Sequence, residues 1–120
     1  STSLANILTK LTTNMDSVNF QDVIDAVEDN YTYTPTRFTN GIGEHMAVNE
    51  AGNNEGSCEI FAFASLHHLS KEQTLNCFGD YYRKDVLQNP DGDDHGNIRQ
   101  LMQHGWEGVQ FDGDALSVIN

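Results

Sequence analysis

The chain has 120 residues, 38% apolar and 20% charged, with 18 acidic side chains against six Lys and Arg and a formal charge of -12. That length buries one core without disulfides or metals, so a single domain over 1–120 is expected. A field this negative repels phosphates; it argues against nucleic acid and anionic membranes as partners and favours a protein partner with a basic surface.

Leu4, Ile7, Leu8 and Leu11 recur at helical spacing behind Ser3, a residue suited to cap. Phe20, Val23, Ile24 and Val27 repeat the pattern behind Asn19, so two amphipathic helices are expected to pair as a hairpin. From Tyr31 the sequence turns to Thr and aromatic residues, and Asn40-Gly41 is the dipeptide that a two-residue type I′ turn prefers. Closing a hairpin there over 31–50 pairs Thr39 with Ile42, Arg37 with Glu44, Pro35 with Met46 and Tyr33 with Val48, which sorts apolar side chains onto one face. Pro35 marks its strand as an edge or an interruption.

After the loop AGNNEG, Ser57 is expected to cap a buried helix through Ile60, Phe63 and Ala64. Ser70 and Gln73 spell a capping box, opening one helix or two short ones through Leu75, Phe78, Tyr82 and Val86, with Gly79 inside. Pro90 and the turn Asp91-Gly92-Asp93 end that stretch. Asp94 is placed to cap the next helix, through Ile98, Leu101 and Met102, and Gly105 to end it, with Trp106 folding back on Leu101. A short strand at 109–111 is expected to join the hairpin's sheet. The fold class is thus α+β and mainly helical, with four to five helices and a small antiparallel sheet built on the 31–50 hairpin plus the 109–111 strand.

Taken in order, YTPTRFTNG (33–41), NEAGNNEGSCEIFAFA (49–64), TLNCFGDYYRKDVL (74–87), DHGNIR (94–99) and GWEGVQFDG (105–113) resemble the HopJ type III effector family across nearly the whole chain. Two features depart from the family's pattern. Glu59 stands where a lysine is expected, and the stretch 42–47 is longer than the usual connection. The resemblance implies an effector-like protein, some of whose relatives are delivered by plant pathogens; it brings no established catalytic residues, so chemistry has to be argued from this sequence.

Cys58 would stand in the first turn of a helix, where backbone N–H groups and the helix dipole favour a thiolate. The dipole supplies roughly 0.3 to 1 kcal/mol, less than one pKa unit. Glu55 and Glu59 oppose it, so a cysteine-dependent hydrolase or transferase would need a histidine, with His95 and His45 the freest to reach the thiol. His67 lies nearly three helical turns along the same helix and reads as a hydrogen-bonded core residue. Cys58 and Cys77 form no C-x-x-C pair, and both read as reduced thiols.

Binding candidates outside that pair are Asn49, Glu50, Asn54 and Ser57 at the strand-to-helix passage, with Tyr81 and Arg83 on a later helix face. The passage lacks the lysine of a P-loop and is flanked by Glu50 and Glu55, so phosphate binding is not expected. Asp91, Asp93, Asp94 and His95, with Asp112 and Asp114, could converge on a hard cation, a third reading as a metal-dependent binding module. They lack EF-hand spacing, and the histidines lack zinc spacing. No metal and no cofactor is expected. The opening STSLANILTKL lacks the features of a signal peptide and no stretch is long and apolar enough to span a bilayer, so a cytoplasmic protein is expected, exported by a type III system if the family name applies. The first few residues are read as a processing remnant. The leading functional reading is a small acidic interaction protein without enzymatic activity.

Overall fold

Both expected N-terminal helices form, each for the reason the sequence offers. A computed structural model describes residues 3–119; Ser1, Thr2 and Asn120 lie outside the described residues, among them the start of the stretch read as a remnant. Helix α1 (Leu4–Thr13) is capped by Ser3, whose Oγ accepts from the Asn6 N–H at 3.2 Å, and it buries Ile7 and Leu11. Helix α2 (Phe20–Asn30) is capped by Asn19, whose Oδ1 accepts from the Gln21 N–H at 2.9 Å, and it buries Val23, Ile24, Ala26 and Val27 against α1 and the core.

Five short strands follow: β1 (Tyr31–Tyr33), β2 (Phe38–Asn40), β3 (Ala47–Asn49), β4 (Val109–Phe111) and β5 (Leu116–Val118). They form two antiparallel sheets, β1 with β5 and, separately, β3-β2-β4. The 109–111 strand joins the hairpin's sheet as expected. The hairpin itself is narrower and differently closed: Phe38 pairs with Asn49, Thr39 with Val48 and Asn40 with Ala47, around a longer connection holding a 3₁₀ turn at Gly43–His45.

The expected two-residue turn fails because both of its residues are committed elsewhere. Asn40 is fully buried and donates its amide to the Asn97 backbone and side-chain oxygens at 2.9 and 3.0 Å. Gly41 gives its N–H to the Gly108 carbonyl at 3.0 Å, extending the β2–β4 ladder. Tyr33, expected opposite Val48, instead pairs with Leu116, and Thr34 continues that pairing through its N–H to the Ala115 carbonyl at 2.8 Å. The chain around Pro35 runs between the two sheets and belongs to neither.

Helix α3 (Glu55–Leu66) crosses the core and buries every residue from Cys58 to Ala64. Its N-cap is Asn54, in the left-handed region at φ 52°, and not Ser57, which sits inside the first turn. Asparagine tolerates that backbone better than most residues. The capping box forms as expected at the start of α4 (Lys71–Asn76), with Ser70 Oγ accepting from the Gln73 N–H at 3.1 Å and Gln73 Oε1 from the Ser70 N–H at 2.9 Å. The chain then breaks at Gly79 and resumes as a π-helical segment (Tyr81–Val86), so the stretch is two helices and not one.

Gly79 has φ +60°, and a Cβ there would stand 2.8 Å from the Phe20 backbone nitrogen. Gly79→Ala is expected to lower stability by about 2 kcal/mol, combining left-handed strain with that close approach. A chemical denaturation midpoint checks it, and an unchanged midpoint would show that the two segments are not pinned at this point.

Helix α5 (Gly96–His104) begins after His95, again left-handed at φ 52°, so His95 and not Asp94 takes the N-cap position. Asp94 is instead engaged by Arg99, whose Nη2 donates to its Oδ1 at 2.6 Å. Gly105 ends α5 at φ 65° as expected, and Trp106 turns its ring to Phe61 and donates Nε1–H to the Leu69 carbonyl at 3.1 Å. Phe38, Phe61, Phe78 and Phe111 form a chain of ring contacts through the core, with centroids 4.9 to 5.8 Å apart.

Candidate functional site

The N-termini of α3 and α5, the strand β3 and the π-helical segment meet around one cleft of about 550 Å³. Its floor is apolar. Phe20 lies 6.3 Å from Phe78, stacked, and meets Tyr81 edge-on at 5.1 Å, while Tyr81 lies 5.2 Å from the His95 ring. The wall is made of amides. Asn49 Oδ1 accepts from Asn54 Nδ2 at 2.7 Å and from Asn97 Nδ2 at 2.8 Å, and Asn49 Nδ2 donates to Asn97 Oδ1 at 3.2 Å.

Asn49 is 2% exposed, so these bonds satisfy a buried polar side chain and tie the two helix starts to β3. Gly56, Ser57 and Gly96 complete the rim. A smaller hollow of about 410 Å³ shares Phe20, Phe78 and Tyr81 with the cleft and continues past Asp80, Arg83 and Asp85. His95 is held over this junction by Asp85, 3.0 Å from its Nε2, with Asp94 at 3.8 Å. Hydrogen bonding from Arg99 keeps the Asp94 carboxyl below its usual range.

Of the residues singled out from the sequence, the cleft brings together Asn49, Asn54, Ser57, Tyr81 and His95. Glu50 lies outside its lining, ion-paired to Arg37 at 3.4 Å. Arg83 borders the smaller hollow, with its guanidinium donating to the Val18 carbonyl and to the Asn76 carbonyl and Oδ1 at 3.3 and 3.0 Å. That arginine fastens the π-helical segment to α4 and the turn before α2. Sequence reasoning missed Phe20 and Phe78, which look like ordinary core positions, and Asn97, whose only signal was its place in DHGNIR.

A family model, "HopJ type III effector protein", matches residues 4–116. The chain belongs to the HopJ family. A solved structure titled "Crystal structure of unknown function protein VPA0580" is 44% identical to it, with a TM-score of 0.92 over 99% of this chain and 96% of that one. Among curated proteins none matches. No helix among the described residues of this HopJ chain is long and apolar enough to cross a membrane.

In this HopJ chain Cys58 lies outside the cleft's lining, 1% exposed, with its thiol directed at the Thr36 carbonyl 3.5 Å away. Burial raises its pKa, hydrogen bonding from the Tyr33 hydroxyl acts against that rise, and Glu59 and Glu55 add to it. None of those neighbours is a histidine. His45 projects into solvent from the 3₁₀ turn, 86% exposed and 3.7 Å from Glu44, and His95 is occupied with Asp85. The helix start therefore does not produce a ready thiolate. His67 is hydrogen-bonded as expected, 2.6 Å from the Tyr31 hydroxyl, but it stands half-buried at the C-terminal end of α3, outside the buried core. Cys77 is buried as well, its thiol pushed up to about 12 by desolvation.

The acidic residues of 91–95 do not gather with Asp112 and Asp114. Asp94 is taken by Arg99 and Asp112 by Arg37, and among the described residues no group of three or more His, Cys, Asp or Glu side chains is placed to hold a metal ion.

Proposed function

We propose that this HopJ chain is an effector-type binding module, exported through a type III system, that takes an extended basic segment of a protein partner in the Asn49–Tyr81 cleft and performs no covalent chemistry on it. The observation that carries the reading is the composition of the cleft: side-chain amides on one wall, aromatic rings on the floor, and a lining free of Asp, Glu, Lys, Arg and Cys. Such surfaces anchor a partner by burying a few side chains between rings while hydrogen bonds set orientation. The charge of -12 selects for a cationic partner and speeds encounter with it.

A fluorescent peptide of alternating lysine and valine tests the reading by anisotropy. Binding that weakens with added salt, that a glutamate–valine peptide does not reproduce, and that Tyr81→Ala reduces at least about tenfold is the expected result, since truncating an aromatic anchor typically costs 2 kcal/mol or more. Cys58→Ala is expected to leave binding unchanged. Equal binding of the two peptides, or no binding of either at millimolar concentration, overturns the proposal.

A further inference from the structure

The β3-β2-β4 sheet ends at β3, whose outer edge has no strand partner among the described residues and whose three residues all line the cleft. The direction of its backbone groups follows from the ladder on the other side of β2. Asp112 donates its N–H to the Arg37 carbonyl and Gly41 donates to the Gly108 carbonyl, both at 3.0 Å, so these are hydrogen-bonded pairs two residues either side of Thr39↔Gln110. Alternation along an antiparallel pair then turns the Thr39 N–H and C=O toward β4, and those of Phe38 and Asn40 toward β3. Their partners Asn49 and Ala47 face back to β2. Val48, between them, presents its N–H and C=O outward, and neither meets a hydrogen-bonding group among the described residues.

Val48 is also 48% exposed, beside exposed Ile42 and Met46. An edge strand left bare in this way is a template for another strand. From this we infer that β3 is a docking rail: the partner's segment adds to the sheet as a further strand, exchanging two backbone hydrogen bonds with Val48 while alternate side chains enter the cleft. The inference rests on the binding reading above and adds to it the mode of recognition.

The occupant is a lysine- or arginine-rich segment in extended form. Glu44 and Glu50 stand at the two approaches to β3, with side chains 89% and 64% exposed, while nearby Arg37 is held by Glu50 and Asp112. A second copy of this chain would bring the same two glutamates and another charge of -12 to the edge, which disfavours self-pairing.

Val48→Pro tests the inference with the lysine–valine peptide as probe. Proline removes the outward N–H and leaves the bonds of Ala47 and Asn49 to β2, a placement that edge strands tolerate. Binding is expected to fall about tenfold in Val48→Pro and to persist in Val48→Thr. Because the proline could also disturb the strand, two N-methylated peptides, blocked on alternate residues, are measured against the unaltered protein; one of them is expected to lose the same factor and the other not. Binding that is lost in Tyr81→Ala but unaffected by Val48→Pro and by both N-methylations overturns strand addition and leaves the cleft reading in place. No binding to the unaltered protein overturns both. A dimer in sedimentation that Val48→Pro dissolves would assign the edge to a second copy and overturn the proposed occupant.

Discussion

Asn49→Ala is expected to lower the stability of the folded chain by about 3 kcal/mol and its Tm by roughly 10 °C. The side chain is buried and engaged on both ends: its oxygen takes Asn54 and Asn97, and its nitrogen gives to Asn97 and, at 3.4 Å, to the Phe38 carbonyl. Each hydrogen bond contributes about 1 kcal/mol net, but removing one partner leaves the others without an acceptor or donor in a closed space, and the cavity adds to the loss. Asn49→Asp separates the two ends. Its retained oxygen still serves Asn54 and Asn97, whereas the new one faces the Asn97 and Phe38 oxygens, so the loss is expected to be comparable at neutral pH and to lessen as acid protonates the carboxyl. Denaturant unfolding of the three proteins checks this. An alanine variant within 0.5 kcal/mol of the original would mean that the amide wall does not hold the cleft together.

What the sequence conveyed about the fold was local. The caps Ser3 and Asn19 and the Ser70–Gln73 box each act within one turn, and each was found where its chemistry demanded. The hairpin register was read from Asn40-Gly41, a sound local signal that lost to distant partners: Asn97 takes the Asn40 amide and Gly108 the Gly41 N–H. Strand β5 has no clear signal in the sequence because three residues carry little pattern and its partner, β1, follows α2, far from it along the chain. Asn49 and Asn54 stand out in the sequence as candidate binding residues, but their coupling through Asn97 requires α5 to dock on β3, which no spacing announces. Cys58 shows the converse. Its position at a helix start was correctly read, yet whether a thiol there is reactive depends on burial and on which side chains face it.

The second large effect concerns Glu59. Its side chain lies in α3 at 6% exposure, and its carboxyl is pushed up to about 7, by desolvation first and then by the charges of Glu28 and Glu55. In the unfolded chain the same group titrates near its ordinary value of 4.5. Between those values the folded state holds the proton more tightly, so this carboxyl contributes stability that is complete below the lower value and lost as pH rises through the upper one. At pH 8 the folded protein therefore contains a buried carboxylate facing two others. Glu59→Gln keeps the shape and removes the charge. It is expected to raise stability at pH 8 by roughly 3 kcal/mol, the rise from 4.5 to about 7 at about 1.4 kcal/mol per pKa unit, and to differ little from the original near pH 4.5. Denaturation midpoints of both proteins across that range give the difference directly, and parallel curves would show that Glu59 is solvated in solution. A lysine, the residue expected here from the family resemblance, would meet Glu28 and Glu55 with opposite charge. Glu59→Lys is accordingly expected to recover part of the same gain at pH 8, reduced by the cost of burying an ammonium group, and to reverse the slope, because its pairing requires the two glutamates to be ionised and fails as acid protonates them.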